Sequence, residues 1–193
     1  MKLVLASKNK KKLVEMNDIL SQLGIEVCSE AEAGVDVEVE ETGTTFEENS
    51  LLKARAVMEA SGLPAIADDS GLCVDALGGA PGVYSARYGG PGLDDVGRYR
   101  LLLENMKGQP RGAKFVSVIT CCFPNGDVLT ARGECPGTIA FAPMGEGGFG
   151  YDPVFFIPSL KKTFAQLTPE EKNAISHRGK ALEQFQKELE RYL

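Results

Sequence analysis

The feature that most constrains the fold is an alternation of strand and helix patterns over the first seventy residues. Lys2 to Ala6 reads as a short buried strand. Leu13, Met16, Leu20 and Leu23 then recur at helical spacing, and Gly24 is placed to end that helix. Ile25 to Cys28 reads as the next strand. Val35, Val37 and Val39 alternate with Asp36, Glu38 and Glu40, the period-two pattern of a half-buried strand. Thr45 and Glu48 make a capping-box pattern that predicts a helix lasting to Ser61-Gly62. Pro64 then precedes a compact apolar strand, Ala65-Ile66-Ala67.

Beyond this the order changes. Residues 78–92 are rich in Gly, Pro and Tyr and read as an ordered loop, and 94–106 read as a helix. Residues 114–123, the turn Pro124-Asn125-Gly126 and residues 127–132 predict an antiparallel hairpin, with Asn-Gly as the turn signal. A further strand near Thr138 to Phe141 leads into a glycine-rich loop, 145–150. Thr168-Pro169-Glu170-Glu171 opens a helix that continues, with a break near Ser176, to the C-terminus. Strands and helices alternate early and a hairpin follows, which predicts an α/β fold on a mixed sheet. With no repeat or linker in sight, residues 1–193 read as one domain.

Composition removes several function classes. A net charge of −6 argues against general nucleic-acid binding. No apolar stretch approaches the roughly 20 residues of a membrane helix, and the apolar run at the N-terminus is too short for a signal-peptide core. Five cysteines, with no Cys-x-x-Cys pair, fit reduced thiols better than a disulfide framework or zinc knuckle. The expectation is a cytoplasmic protein. Its charge is unevenly placed, lysines crowding residues 8–12 and glutamates residues 38–41. A small polyanion held with a divalent cation needs both kinds of surface.

Five segments carry candidate chemistry. Ser7-Lys8-Asn9-Lys10-Lys11-Lys12 joins the first strand to the first helix, where free N–H groups and the helix dipole suit phosphate. The Gly-x-x-x-x-Gly-Lys framework of a P-loop is absent, and a lysine-rich helix start is also what a solvated turn looks like. Glu40-Glu41-Thr42-Gly43 ends the second acidic pattern; strand parity puts Glu38 and Glu40 on one face, which favours Glu40 over Glu41 as a ligand. Asp68-Asp69-Ser70-Gly71 follows an apolar strand, and adjacent carboxylates there incur electrostatic cost unless a cation is near. Oxygen ligands at a strand end suit Mg²⁺. Their adjacency, in place of the Asp-x-Asp spacing of phospho-aspartate phosphatases, predicts that one carboxylate serves a metal and an attacking water while its neighbour supports it. Gly147 to Pro153 offers Phe149 for stacking on a flat ring. Glu171-Lys172 and Ser176-His177-Arg178 close the set, with Arg178 able to read carbonyl oxygens or phosphate.

Together these segments resemble one family, the inosine triphosphate pyrophosphatases. The resemblance includes Ser7-x-Asn9-x-x-Lys12, Glu40-Glu41-Thr42-Gly43-x-Thr45-Phe46, Asn49 with Lys53-Ala54, and Ala67 to Leu72. It continues through Gly79 to Arg87, Gly148 to Phe155, Glu171-Lys172 and Ser176-His177-Arg178. It implies an elongated central mixed β-sheet with flanking helices, in two lobes around an active-site cleft, and a homodimer. It implies Mg²⁺-dependent attack of water at the α–β phosphate linkage of non-standard purine triphosphates (ITP, dITP, XTP), releasing pyrophosphate. Carried over by position, Ser7, Lys8, Asn9, Lys10, Lys11 and Lys12 bind the triphosphate. Glu40 and Asp69 serve the metal, and Asp69 also activates water. Lys53, Ser70 and Lys172 contact the nucleotide. Phe149, Gly150, Tyr151 and Asp152 form the base pocket, and His177 and Arg178 contact the base. Lysines at 8, 10 and 11 depart from the small residues common in this family, which alters the electrostatics of the segment.

Two rivals fit part of this pattern. One is a pyrophosphatase for modified pyrimidine or other nucleotides on a related fold. The other is a nucleotide-binding regulator without turnover, which leaves the dense carboxylates without a purpose.

Overall fold

The computed structural model describes residues 2–193. Seven strands form one mixed sheet: β1 (Lys2–Leu5), β2 (Glu26–Ser29), β3 (Ala65–Val74), β4 (Gly112–Cys122), β5 (Val128–Ile139), β6 (Phe155–Ile157) and β7 (Lys162–Thr163), in the order β2-β1-β3-β4-β5-β6-β7. β1 runs parallel to β2 and β3, while β6 runs antiparallel to β5 and β7. The helices are α1 (Lys10–Gln22), α2 (Phe46–Ser61), α3 (Asp95–Asn105), α4 (Pro169–Ile175) and α5 (His177–Tyr192). None is long and apolar enough to cross a membrane. The mixed α/β architecture is as the sequence predicts.

Two compact units share the chain. The first comprises residues 1–69, 117–133 and 177–193, and the second residues 70–116 and 134–176. In the first unit β1 and the start of β3 are buried on both faces, as parallel strands covered by helices must be. Leu3, Leu5 and Ile66 pack with Met16 and Leu20 of α1 and Leu182 and Phe185 of α5. Val4, Ala65 and Ala67 point the other way and pack with Ala54 and Val57 of α2. The second unit has its own core, in which Leu72, Val74 and Leu102 join the rings of Phe115, Phe155 and Phe164. Those rings have centroids 4.5, 5.6 and 4.9 Å apart, the spacing of favourable aromatic pairs.

Local signals explain most boundaries. Thr45 caps α2 by accepting from the Glu48 N–H, and Asp94 caps α3 by accepting from the Gly97 N–H. Thr168 and Glu171 form a reciprocal capping box, and the chain breaks at Ser176 before α5. Three expectations need correction. Residues 35–40 form no strand, although Val35 is buried and Asp36, Glu38 and Glu40 are exposed. Alternation reports which side chains are covered; a strand also needs a neighbouring backbone to complete its ladder, and none pairs there. Asp68 and Asp69 do not follow a strand but lie in the middle of β3, which continues to Val74. Residues 138–139 are the end of the long strand β5 and not a separate element.

Candidate active site

Because β3 carries Asp68 and Asp69 in succession, their side chains leave on opposite faces, and each meets a different set of helices. Asp68 follows Ile66 onto the α1/α5 face. There its Oδ2 lies 3.0 Å from Lys12 Nζ of α1 and 3.3 Å from Arg178 Nη2 of α5, and its Oδ1 accepts from the Ser117 hydroxyl of β4. Arg178 also reaches Glu15 Oε1 at 2.5 Å. The first turn of α5 gets this close because Gly133 of β5 has no side chain; a Cβ there would lie 2.3 Å from the His177 carbonyl oxygen. Burial alone would raise the pKa of Asp68. Arg178, Lys12 and the Ser117 hydroxyl outweigh it and hold the carboxyl well below the usual range. Asp68 is a fixed anion.

Asp69 follows Ala67 onto the α2 face. Lys53 of α2 lies 3.3 Å from its Oδ1, donates to the Asp68 carbonyl at 2.7 Å, and stands 3.0 Å from Glu41 Oε1. The other oxygen, Asp69 Oδ2, is buried and has no hydrogen-bond partner among the described residues. Burial is the main reason its pKa is raised from 3.8 to about 6; Lys53 pulls it down and Glu41 pushes it up. An uncompensated buried carboxylate oxygen costs free energy that a cation or a water would offset. The residues present therefore fit a hard divalent cation, which takes carboxylate oxygens. Among the described residues no group of three or more His, Cys, Asp or Glu is arranged as a metal cage. That is the pattern expected where one or two carboxylates and substrate phosphates share the ion.

The start of α1 is wholly basic. Asn9 caps α1 through Oδ1 on the Lys12 N–H, and Ser7 Oγ accepts from the Asn9 N–H. The first turn holds Lys10, Lys11 and Lys12 and no acid, whereas α2, α3 and α4 all place Asp or Glu there. Lysines at the positive end of a helix dipole are unfavourable, a cost that an anion bound there would offset. Burial lowers the pKa of Lys12, with Asp68 opposing. Lys10 and Lys11 are exposed, while Lys8 pairs with Asp36 at 2.9 Å and Glu38 at 2.8 Å. Those pairs and the Lys53–Glu41 pair shape residues 36–41. Glu41 is thereby brought beside Lys53, whereas Glu40 is exposed, and the parity that favoured Glu40 has no strand to act in.

In the second unit the loop 145–150 and the one-turn helix Asp152–Val154 build a different cluster. Asp152 Oδ2 accepts from Lys172 Nζ at 2.7 Å and from the Phe149 N–H at 3.1 Å. Both members of the ion pair are buried. Lys172 Nζ also lies 4.8 Å from the Phe149 ring centroid, within cation–π range. Gly148 takes φ +68°, and a Cβ on it would fall 2.1 Å from Asp152 Oδ2. Only glycine lets the loop close on that carboxylate. The Tyr151 hydroxyl donates to the Ser85 carbonyl at 2.7 Å, and Asp95 accepts from the Gly150 N–H at 3.1 Å.

The structure thus gathers Lys12, Lys53 and Arg178 about Asp68 and Asp69 of the first unit, and Phe149, Gly150, Tyr151, Asp152 and Lys172 in the second. Ser70 is half-buried at the next position of β3, and His177 is buried as the first residue of α5. Arg178, expected at the base, spends Nη1 and Nη2 on Glu15 and Asp68. Sequence reasoning missed Glu15, Ser117, Ser85 and Asp95. Glu15 alone carried a signal, standing one helical turn from Lys12.

The chain is similar to known proteins over nearly its whole length. The model of the Ham1 family matches residues 3–188. The chain is 49% identical over 190 residues to a dITP/XTP pyrophosphatase of Exiguobacterium sp., covering 98% of this chain and 97% of that one. It is 51% identical over 186 residues to the dITP/XTP pyrophosphatase of Escherichia coli, covering 94% of each. Among solved structures it is similar to a HAM1 protein from Coxiella burnetii, with a TM-score of 0.89, 45% identity and 99% of each chain covered. It is likewise similar to the Staphylococcus aureus Ham1 protein, with a TM-score of 0.88, 42% identity and 100% of each chain covered.

Proposed function

Since the chain belongs to the Ham1 family, we propose that it hydrolyses non-standard purine nucleoside triphosphates (ITP, dITP and XTP) to the monophosphate and pyrophosphate, with Mg²⁺ at Asp69. The observation that carries this reading is the buried Oδ2 of Asp69, without a partner among the described residues and in the same unit as a helix start that has three lysines and no acid. Asp69, with Glu41 or Glu40 alongside, would hold the divalent cation, which when bound would supply positive charge to the phosphate oxygens. The other roles fall to the chain itself. The turn Ser7 to Lys12 takes the triphosphate through backbone N–H groups and lysine charge. Asp69 accepts the proton of the attacking water as that water adds to the α-phosphorus and the bond to the bridging oxygen breaks. Its pKa of about 6 leaves it ionised near neutrality yet basic enough to take a proton. Lys53 fixes the carboxylate by its other oxygen, and Asp68 holds Lys12 and Arg178 in place.

The second unit supplies base recognition. Phe149 stacks on the purine, and the Lys172–Asp152 pair offers ammonium donors beside a carboxylate acceptor. A 6-oxopurine presents an acceptor at position 6 and a donor at N1; adenine presents the reverse. Each mismatch of a buried polar group costs about 1–3 kcal/mol, roughly tenfold or more in preference. Both units belong to one pyrophosphatase domain in this reading. Homodimer assembly, carried by the family resemblance, and a cytoplasmic location, carried by the cysteine content, belong to it too; sedimentation equilibrium checks the first.

Product analysis tests the reaction. With Mg²⁺, ITP, dITP and XTP are expected to give stoichiometric pyrophosphate, at higher kcat/KM than ATP, GTP or modified pyrimidine triphosphates. Orthophosphate as the direct product would rule the reading out.

A further inference from the structure

We infer that Asn49 is a positioning residue that sets cation affinity at Asp69 by anchoring the loop that carries Glu41; this rests on reading Asp69 and Glu41 as the cation's carboxylates. Asn49 is wholly buried on α2, and its Oδ1 accepts from the Gly43 N–H at 2.8 Å, two residues past Glu41. Asn49 and Lys53 stand four residues apart and share one face of α2. That face therefore grips the loop twice: Lys53 Nζ meets the Glu41 carboxylate at 3.0 Å, and Asn49 holds the backbone just beyond it. Residues 35–42 have no regular secondary structure to order them, so contacts of this kind fix where Glu41 lies.

Packing alone does not account for an amide at this position. Asn49 Nδ2 is buried and meets no partner among the described residues, a cost an apolar side chain of similar size would avoid. What an apolar residue would lose is the acceptor on Gly43. Without it the loop keeps the Lys8 pairs to Asp36 and Glu38, the Lys53–Glu41 pair and the bond from the Thr44 N–H to Glu48 Oε2, but loses its backbone tie two residues past Glu41. Glu41 would then be held less firmly beside Asp69.

Calorimetric titration of the full-length protein with MgCl₂, without nucleotide, tests this apart from turnover. Asn49→Ala is expected to weaken Mg²⁺ binding roughly tenfold. In a Glu41→Gln background the same substitution should add no further loss, because the two residues act through one ligand. Asn49→Asp keeps an acceptor for the Gly43 N–H and is expected to bind Mg²⁺ at least as tightly as the parent, which keeps the test open if Asn49→Ala does not fold. Unchanged affinity in folded Asn49→Ala, additivity with Glu41→Gln, or weakened binding in Asn49→Asp would overturn the inference. Unchanged affinity in Glu41→Gln overturns the reading beneath it, and is read from that variant alone.

Discussion

The two charged clusters are built on opposite plans. In the second unit Asp152 is satisfied: a buried lysine and a backbone N–H both donate to one oxygen, and the loop that brings them closes over Gly148. In the first unit two neighbouring aspartates divide the work. Asp68 is neutralised by cations from two helices, while Asp69 keeps one buried oxygen without a partner. A satisfied pair holds a shape, which suits recognition of a flat base. An unsatisfied carboxylate retains free energy that binding or proton transfer can use, which suits chemistry.

The sharpest way to break the comparison is Asp69→Asn. Turnover is expected to fall roughly 10²–10⁴-fold, measured as pyrophosphate release from ITP, while the fold survives. Stability should rise at neutral pH in the metal-free protein, by on the order of 2 kcal/mol, because a buried charge has gone. The contrasting substitution is Asp68→Ala, which leaves Arg178 and Lys12 buried without their shared anion. A loss of about 3–5 kcal/mol in denaturant unfolding is expected. Equal stability effects at the two positions would erase the distinction between them.

In the second unit Asp152→Asn should cost about 1–3 kcal/mol of discrimination, read as a fall of roughly tenfold or more in the ratio of kcat/KM for ITP over ATP. A fall in kcat alone, with the ratio kept, would place Asp152 outside base recognition. Gly148→Ala should act more mildly and in the same direction, raising KM for ITP several-fold with kcat held, because the loop cannot close on Asp152.

The smallest effects concern pH. Asp69, with a pKa raised to about 6, holds its proton more tightly in the folded chain than in the unfolded one. Its contribution to stability is full below the ordinary carboxylate value near 4 and declines as pH rises through 6. Asp68, whose pKa is depressed, contributes above that ordinary value and is lost as pH falls below it. Unfolding of the metal-free protein across pH 4 to 7 should show the first decline, and Asp69→Asn should flatten it. An acid limb of kcat/KM should fall at or below about 6, since a bound cation stabilises the carboxylate.

Much of the fold was legible because its signals are local. Thr45, Asp94 and Thr168 cap their helices through their own side chains, and Asn125-Gly126 turns the hairpin with Gly126 at φ +96° and Asn125 Oδ1 accepting from the Asp127 N–H. The second cluster was legible too, as Gly148 to Asp152 is one contiguous stretch. Residues 35–40 were misread because alternation records burial and not pairing. Ser117 and Asp95 were invisible because each meets its partner from a distant part of the chain, and Glu15 showed only its spacing from Lys12 and not its distant partner Arg178.

What the sequence determined by itself is that Asp68 and Asp69 must part company: in extended backbone, adjacent side chains take opposite faces whatever surrounds them. It also determined that α1 begins with lysines and no acid. Only the tertiary structure decided which aspartate would be neutralised. That choice depends on which helices cover which face of β3, and α1 and α5 bring two cations to Asp68 where α2 brings Asp69 one lysine shared with Glu41. Charge balance in a buried site is a sum over neighbours, and the neighbours are set by packing.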